Sequence, residues 1–123
     1  MSEQILYPAA ARPSHRIRPD LLGTVIGAEH GTLVRWAVKA NQPETPLHSH
    51  IEFEQVTVLL EGRLRTRVGD EVFLLNPGDL LRIARGKLHG NTTALGDADA
   101  IVLDIFMPPR QQYLDAAGDP EQI

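Results

Sequence analysis

The stretch HSHIEFEQVTVLLEG, residues 48–62, carries two histidines two residues apart, an acidic patch, a glutamine and an apolar run closing on glycine. Strand geometry alternates side chains between two faces, so His48 and His50 would share one face if their segment is extended. Residues 51–54 then read as a turn. Gln55 opens the returning strand and faces the same side as Thr57 and Leu59. The stretch is thus a buried strand with three potential metal ligands at its mouth, and the rest of the chain has to supply a fourth ligand and a cavity.

Working outward, short β-like segments recur at Leu22–Ala28, Thr32–Ala40, Gln55–Glu61, Arg63–Val68, Glu71–Leu75, Asp79–Ala84 and Ala100–Met107. Turn-forming stretches such as EHG, NQPETP, VGD, NPGD and LGDAD separate them. Many short strands at close spacing predict an all-β sandwich or barrel. Only residues 111–117, QQYLDAA, look helical, and they follow two prolines that stop the last strand. Residues 1–19, with Pro8, Pro13 and Pro19, read as an extended arm, 20–117 as one barrel domain and 118–123 as a tail. Ile5, Leu6 and Tyr7 on the arm predict that it rests against a sheet edge, in its own subunit or a partner's.

The bulk properties narrow the class. A chain of 123 residues suits one domain, and 42% hydrophobic with 23% charged residues is ordinary for a globular protein. The net charge of −4 is spread over interspersed signs, which argues against nucleic-acid or lipid partners. The densest basic stretch, RLRTRV at 63–68, alternates arginines with apolar residues like the wet face of a strand. With no cysteine, disulfides, thiolate ligands and a cysteine nucleophile are excluded. The longest apolar run is too short to span a bilayer, and no signal-peptide pattern opens the chain, so a cytoplasmic protein is expected.

In EVFLL and LLRIA both faces are largely apolar, as expected where two sheets close on each other. In AIVLDIFM the strand period puts Val102, Asp104 and Phe106 on one face, against Ile101, Leu103 and Ile105 on the other. Asp104 is a carboxylate among apolar neighbours, and burying it requires a cation, a donor or water beside it. His89, in RGKLHGNTT, lies on a further β-like segment after a glycine turn. Three imidazoles, His48, His50 and His89, with the amide oxygen of Gln55, would hold one divalent first-row metal in a barrel mouth, with open positions for water or substrate. Nickel, zinc, iron, manganese and copper all accept such a set. His15 and His30 have no companions and read as surface residues; Trp36, Phe53 and Tyr113 read as core or rim.

The two histidine-bearing stretches resemble the two motifs of the cupin superfamily. The first motif, G-x5-H-x-H-x3or4-E-x6-G, is matched by His48, His50, Gln55 and Gly62, with glutamine for the usual glutamate and Gln42 where the leading glycine would stand. The second, G-x5-P-x-G-x2-H-x3-N, is matched by Gly78, Gly86 and His89, with Ala84 and Thr93 replacing proline and asparagine. The resemblance covers residues 20–107 and implies a double-stranded β-helix with a short C-terminal helix, a metal at the four named side chains, and a homodimer. A narrower likeness is at the end: LDIFMPPRQQYL, 103–114, resembles the C-terminal signature of the pectin degradation protein KdgF family. It implies that Asp104, Phe106 and Arg110 line the cavity beside the metal. It further implies conversion of 4,5-unsaturated monouronates, from pectin or alginate breakdown, to linear keto sugars.

The residue chemistry points the same way. Neutral imidazoles and a neutral amide leave the full double charge on the ion, favouring anionic oxygen ligands and Lewis-acid work. Asp104 could move a proton between oxygen and carbon, and Arg110 could hold the carboxylate of a small acid substrate in its fork. Other cupin chemistries (iron dioxygenase, lyase, cyclase) and a non-catalytic small-acid binder remain alternatives.

Overall fold

The computed structural model describes residues 4–11, 15–18 and 21–118. Among the described residues, nine strands precede one helix: β1 His15–Arg18, β2 Leu21–Gly27, β3 Thr32–Val38, β4 Glu54–Glu61, β5 Leu64–Val68, β6 Glu71–Leu75, β7 Leu80–Ile83, β8 His89–Ala94, β9 Ala100–Met107 and α1 Gln111–Gly118. They form a six-stranded sheet in the order β1-β2-β3-β9-β4-β7 and a three-stranded sheet in the order β6-β5-β8. All the strand pairs are antiparallel.

Each β-like segment anticipated from the alternation is a strand, with ends that move by one or two residues. β1 is an addition: four residues at the end of the proline-rich arm pair with β2. The side chain of His15 lies outside the described residues, whereas His30 is exposed. The arm before it is held within its own subunit by Arg35, which donates to the carbonyl oxygens of Tyr7, Pro8 and Ala11 at 3.2, 2.9 and 3.1 Å. Of the three apolar side chains expected to make that attachment, Ile5 and Leu6 are 90% and 74% exposed, whereas Tyr7 is half-buried.

β9 is the central strand, paired on one side with β3 and on the other with β4. Its face carrying Val102, Asp104 and Phe106 is buried, as the strand period requires. Leu59 and Leu64, completely buried beside it, each contribute about 1.5–3 kcal/mol of transfer free energy. The expectation that β6 and β7 are covered on both faces is corrected. Leu74 is 59% and Leu80 72% exposed, because each lies on the outer face of its sheet, opposite the buried Leu75 and Ile83. Arg82, also on β7, pairs with Glu54 at 3.4 Å and gives that edge a charged character that discourages further pairing.

Candidate metal centre

The segment around His48 is not a regular strand, contrary to the expectation. It makes one isolated bridge, in which the amide N–H of His48 donates to the carbonyl of His89 and that of His89 to the carbonyl of His48, both at 2.8 Å. Gly90 permits this close approach. Its φ is +139°, and a Cβ there would collide with the carbonyl oxygen of Pro46. The segment is drawn down again at His50, whose carbonyl accepts from Gly86 N–H at 2.7 Å. Bridge and glycines thus do the positioning that a strand was expected to do.

The result is a cluster in which His48, His50 and His89 each offer a ligand atom within 4.8 Å of one another. The rings meet at centroid distances of 4.3 to 5.3 Å. Two of them are oriented through their backbone. His48 Nδ1 contacts the carbonyl of Pro46 at 3.0 Å and His89 Nδ1 that of Lys87 at 2.8 Å. A carbonyl can only accept, so each Nδ1 carries its proton and leaves Nε2 as the lone-pair nitrogen. Nε2 of His50 and of His89 are buried and have no hydrogen-bond partner in the protein. Buried polar atoms left bare in a cluster of three imidazoles are what a metal site demands, so the donor set fits a divalent ion.

Burial lowers the proton affinity of His50 and His89. His50 falls from 6.5 to about 4, first by desolvation and then by the charges of His89, Arg110 and His48. His89 is lowered as well, chiefly by burial, against the opposing bond to Lys87. Both are therefore neutral, and competent as ligands, at neutral pH.

Gln55 and Asp104 line the interior cavity of about 60 Å³ with His48 and His89. Thr57 is the direct cross-strand partner of Asp104, and Gln55 lies one step diagonal to it. Gln55 Nε2 donates to Thr57 Oγ1 and to Asp104 Oδ1, both at 3.1 Å, and the Thr57 hydroxyl donates to the same oxygen at 2.7 Å. The indole Nε1 of Trp36, from β3, donates to Asp104 Oδ2 at 2.8 Å. Burial raises the proton affinity of Asp104, while these three bonds and Arg110 oppose the shift. Neither Trp36 nor Thr57 is marked as its partner by the sequence, although the requirement for a donor beside Asp104 is.

Arg110 follows the prolines after β9 and supplies the first acceptor carbonyl of α1. Its backbone N–H donates to Thr32 Oγ1 at 2.8 Å, fixing the helix start to β3. The guanidinium lies 4.0 Å from the ring centre of Tyr113 and 4.9 Å from those of Phe53 and Phe106. Such contacts with three rings hold the guanidinium in place. Arg110 and His48 line both the interior cavity and an outer bowl of about 620 Å³. The aromatic box of Phe53 and Tyr113 is invisible in the sequence, because its members come from a loop and a helix 60 residues apart.

No helix among the described residues is long and apolar enough to cross a membrane. No curated protein sequence matches the chain. Among solved structures, KdgF from Halomonas sp. superposes with a TM-score of 0.74 at 19% identity, covering 88% of this chain and 96% of that one. An RmlC-like cupin from Shewanella frigidimarina NCIMB 400 gives 0.73 at 22% identity, covering 91% and 96%. TT1209 from Thermus thermophilus gives 0.66 at 26% identity, covering 77% and 90%. The cupin domain model matches residues 34–106, which include the three histidines, Gln55 and Asp104, and the chain therefore belongs to the cupin family.

Proposed function

We propose that this cupin is a metal-dependent, non-redox enzyme that converts 4,5-unsaturated monouronates to linear keto sugars. The observation that carries the reading is that Arg110 and His48 line both the interior cavity, which His89, Gln55 and Asp104 also line, and the outer bowl, which His50 lines. One guanidinium, one candidate metal centre and one buried carboxylate are thus gathered around two adjoining spaces. A divalent ion held by His48, His50, His89 and Gln55 would polarise a substrate oxygen as a Lewis acid.

The protein's own groups divide the remaining work. Arg110 holds the substrate carboxylate, and Phe106 supports both the guanidinium and the sugar. The narrow interior admits the reacting end, and the outer bowl takes the rest of the ring. In the reaction the C1–O5 bond breaks, the C1 hydroxyl loses its proton to become an aldehyde, and C4 gains a proton as the C5 enol becomes a ketone. Atoms and electrons balance without an oxidant. Asp104, whose oxygens accept from three donors, takes up a proton only in transit, with the Thr57 hydroxyl as its link to the cavity. The same reading takes the protein as a cytoplasmic homodimer.

Metal-loaded protein incubated with unsaturated galacturonate or guluronate should abolish the substrate's conjugated ultraviolet absorbance. An unchanged substrate spectrum, by absorbance and by NMR, would overturn the enzyme reading; saturable binding without turnover would replace it with a small-acid-binding cupin. Oxygen uptake by the iron-loaded protein would instead indicate a dioxygenase.

A further inference from the structure

Asp104 accepts from three donors, and those donors are not equivalent. Trp36 Nε1 engages Oδ2, while Gln55 and Thr57 share Oδ1. A side-chain amide can turn over, exchanging its oxygen and nitrogen with little change in shape. Only the oxygen of Gln55 can coordinate a metal, so something must fix which way the amide faces. An acceptor at Oδ1 binds the Gln55 nitrogen and leaves the oxygen as the amide's other end.

We infer that Asp104 is a positioning residue for the metal centre: it orients the Gln55 amide so that Oε1 is the ligand atom, with Trp36 fixing Asp104 in turn. The inference rests on the metal reading of the histidine cluster and adds a role for Asp104 that proton transfer does not require. It is sharpest for an asparagine at position 104. The indole N–H must still meet an acceptor, so the Asn oxygen takes the place of Oδ2 and the Asn nitrogen that of Oδ1. That nitrogen then opposes the Gln55 nitrogen, donor against donor. Gln55 relieves the conflict by turning over, accepting from the Asn and presenting its own nitrogen to the metal. Removing the indole donor frees the Asn to turn instead, which restores Gln55.

The test is Co(II) affinity of the metal-depleted full chain, by chelator competition and by visible ligand-field absorption. Loss of a supporting partner costs metal affinity about 10–100-fold, and Asp104→Asn should fall in that range with a changed ligand-field band. Trp36→Phe/Asp104→Asn should bind more tightly than Asp104→Asn alone and recover the original band. Unchanged affinity in Asp104→Asn, or a double variant as weak as the single one, would overturn the inference while leaving the metal site standing. A wild-type chain that binds no Co(II) would overturn the metal reading and this inference with it. A second measurement needs no variant and stays decisive if Asp104→Asn fails to fold. In the Zn-loaded wild type, the side-chain amide protons of Gln55 should show nuclear Overhauser contacts to Thr57; contacts to the His89 ring instead would overturn the inference.

Discussion

His48 and His89, 41 positions apart in the sequence, exchange two backbone hydrogen bonds of 2.8 Å, and their rings lie 4.3 Å centre to centre. The imidazoles from the two motifs therefore meet through a pairing of backbone groups that uses neither ring. His89→Ala leaves that pairing intact and removes one ligand. Metal content after equal chelator exposure should fall by more than the ~10–100-fold typical of losing a supporting partner, with little change in circular dichroism. His50→Ala should do the same. Full occupancy in both variants would remove these residues from the ligand set.

Acid should act on the metal-free protein through His50. Its ordinary value of 6.5 applies to the unfolded chain, and about 4 to the folded one. Between those values the unfolded chain binds a proton that the folded chain refuses. Stability is thus complete above pH 6.5 and declines as pH falls toward 4. Burial first, and then the charges of His89, Arg110 and His48, hold the folded value of His50 that low. Asp104 contributes with the opposite sign, because its raised folded value makes the protonated form the more stable one. Melting temperatures measured from about pH 4 to neutrality should show a shallower acid decline in His50→Asn. An unchanged profile would exclude His50 as its source.

Gly90→Ala should destabilise the fold and loosen the metal together. The added Cβ meets Pro46 at the bridge, and the φ of +139° is unfavourable for alanine. Strain of this kind costs about 1–3 kcal/mol, readable in urea unfolding. Wild-type stability and metal affinity in this variant would show that the bridge can open without loss.

Gln55→Glu puts a second carboxylate against Asp104, where an amide nitrogen now stands 3.1 Å away. An uncompensated buried charge costs about 3–5 kcal/mol, so the variant should melt lower at neutral pH and recover on acidification. Pairing it with Asp104→Asn supplies the missing donor and should return most of the stability. Additive effects of the two substitutions would contradict the contact.

Arg35→Ala should release the arm, since this side chain supplies three bonds to its carbonyls. Proteolysis within residues 4–11 should accelerate, with a loss of about 1 kcal/mol in stability. Unaltered cleavage would mean that other contacts hold the arm.

The alternation of apolar residues revealed the strands because a period of two is a local property, and β9 needed no more than its own eight residues to place Asp104 inward. The clustering of His48, His50 and His89 was legible through the resemblance to the two cupin motifs, whose spacing and glycines are local marks. What stayed hidden was cross-strand. Trp36 meets Asp104 only because β3 lies beside β9 in a register that sets Val34 opposite Asp104. The exposure of Leu74 and Leu80 was equally hidden, because an apolar run does not say which of its two faces is left uncovered.

The insertion of β9 between β3 and β4 also constrains how the chain can be made. Until residues 100–107 have been synthesised, β3 and β4 have no shared neighbour, and the carboxylate beneath the histidines is missing. A nascent chain leaving the ribosome can close its local hairpins but not the larger sheet. The larger sheet can therefore form only once β9 is available, through long-range pairings that are slow to form. Shortened chains that end before β9 should lack both the barrel and the ability to retain metal.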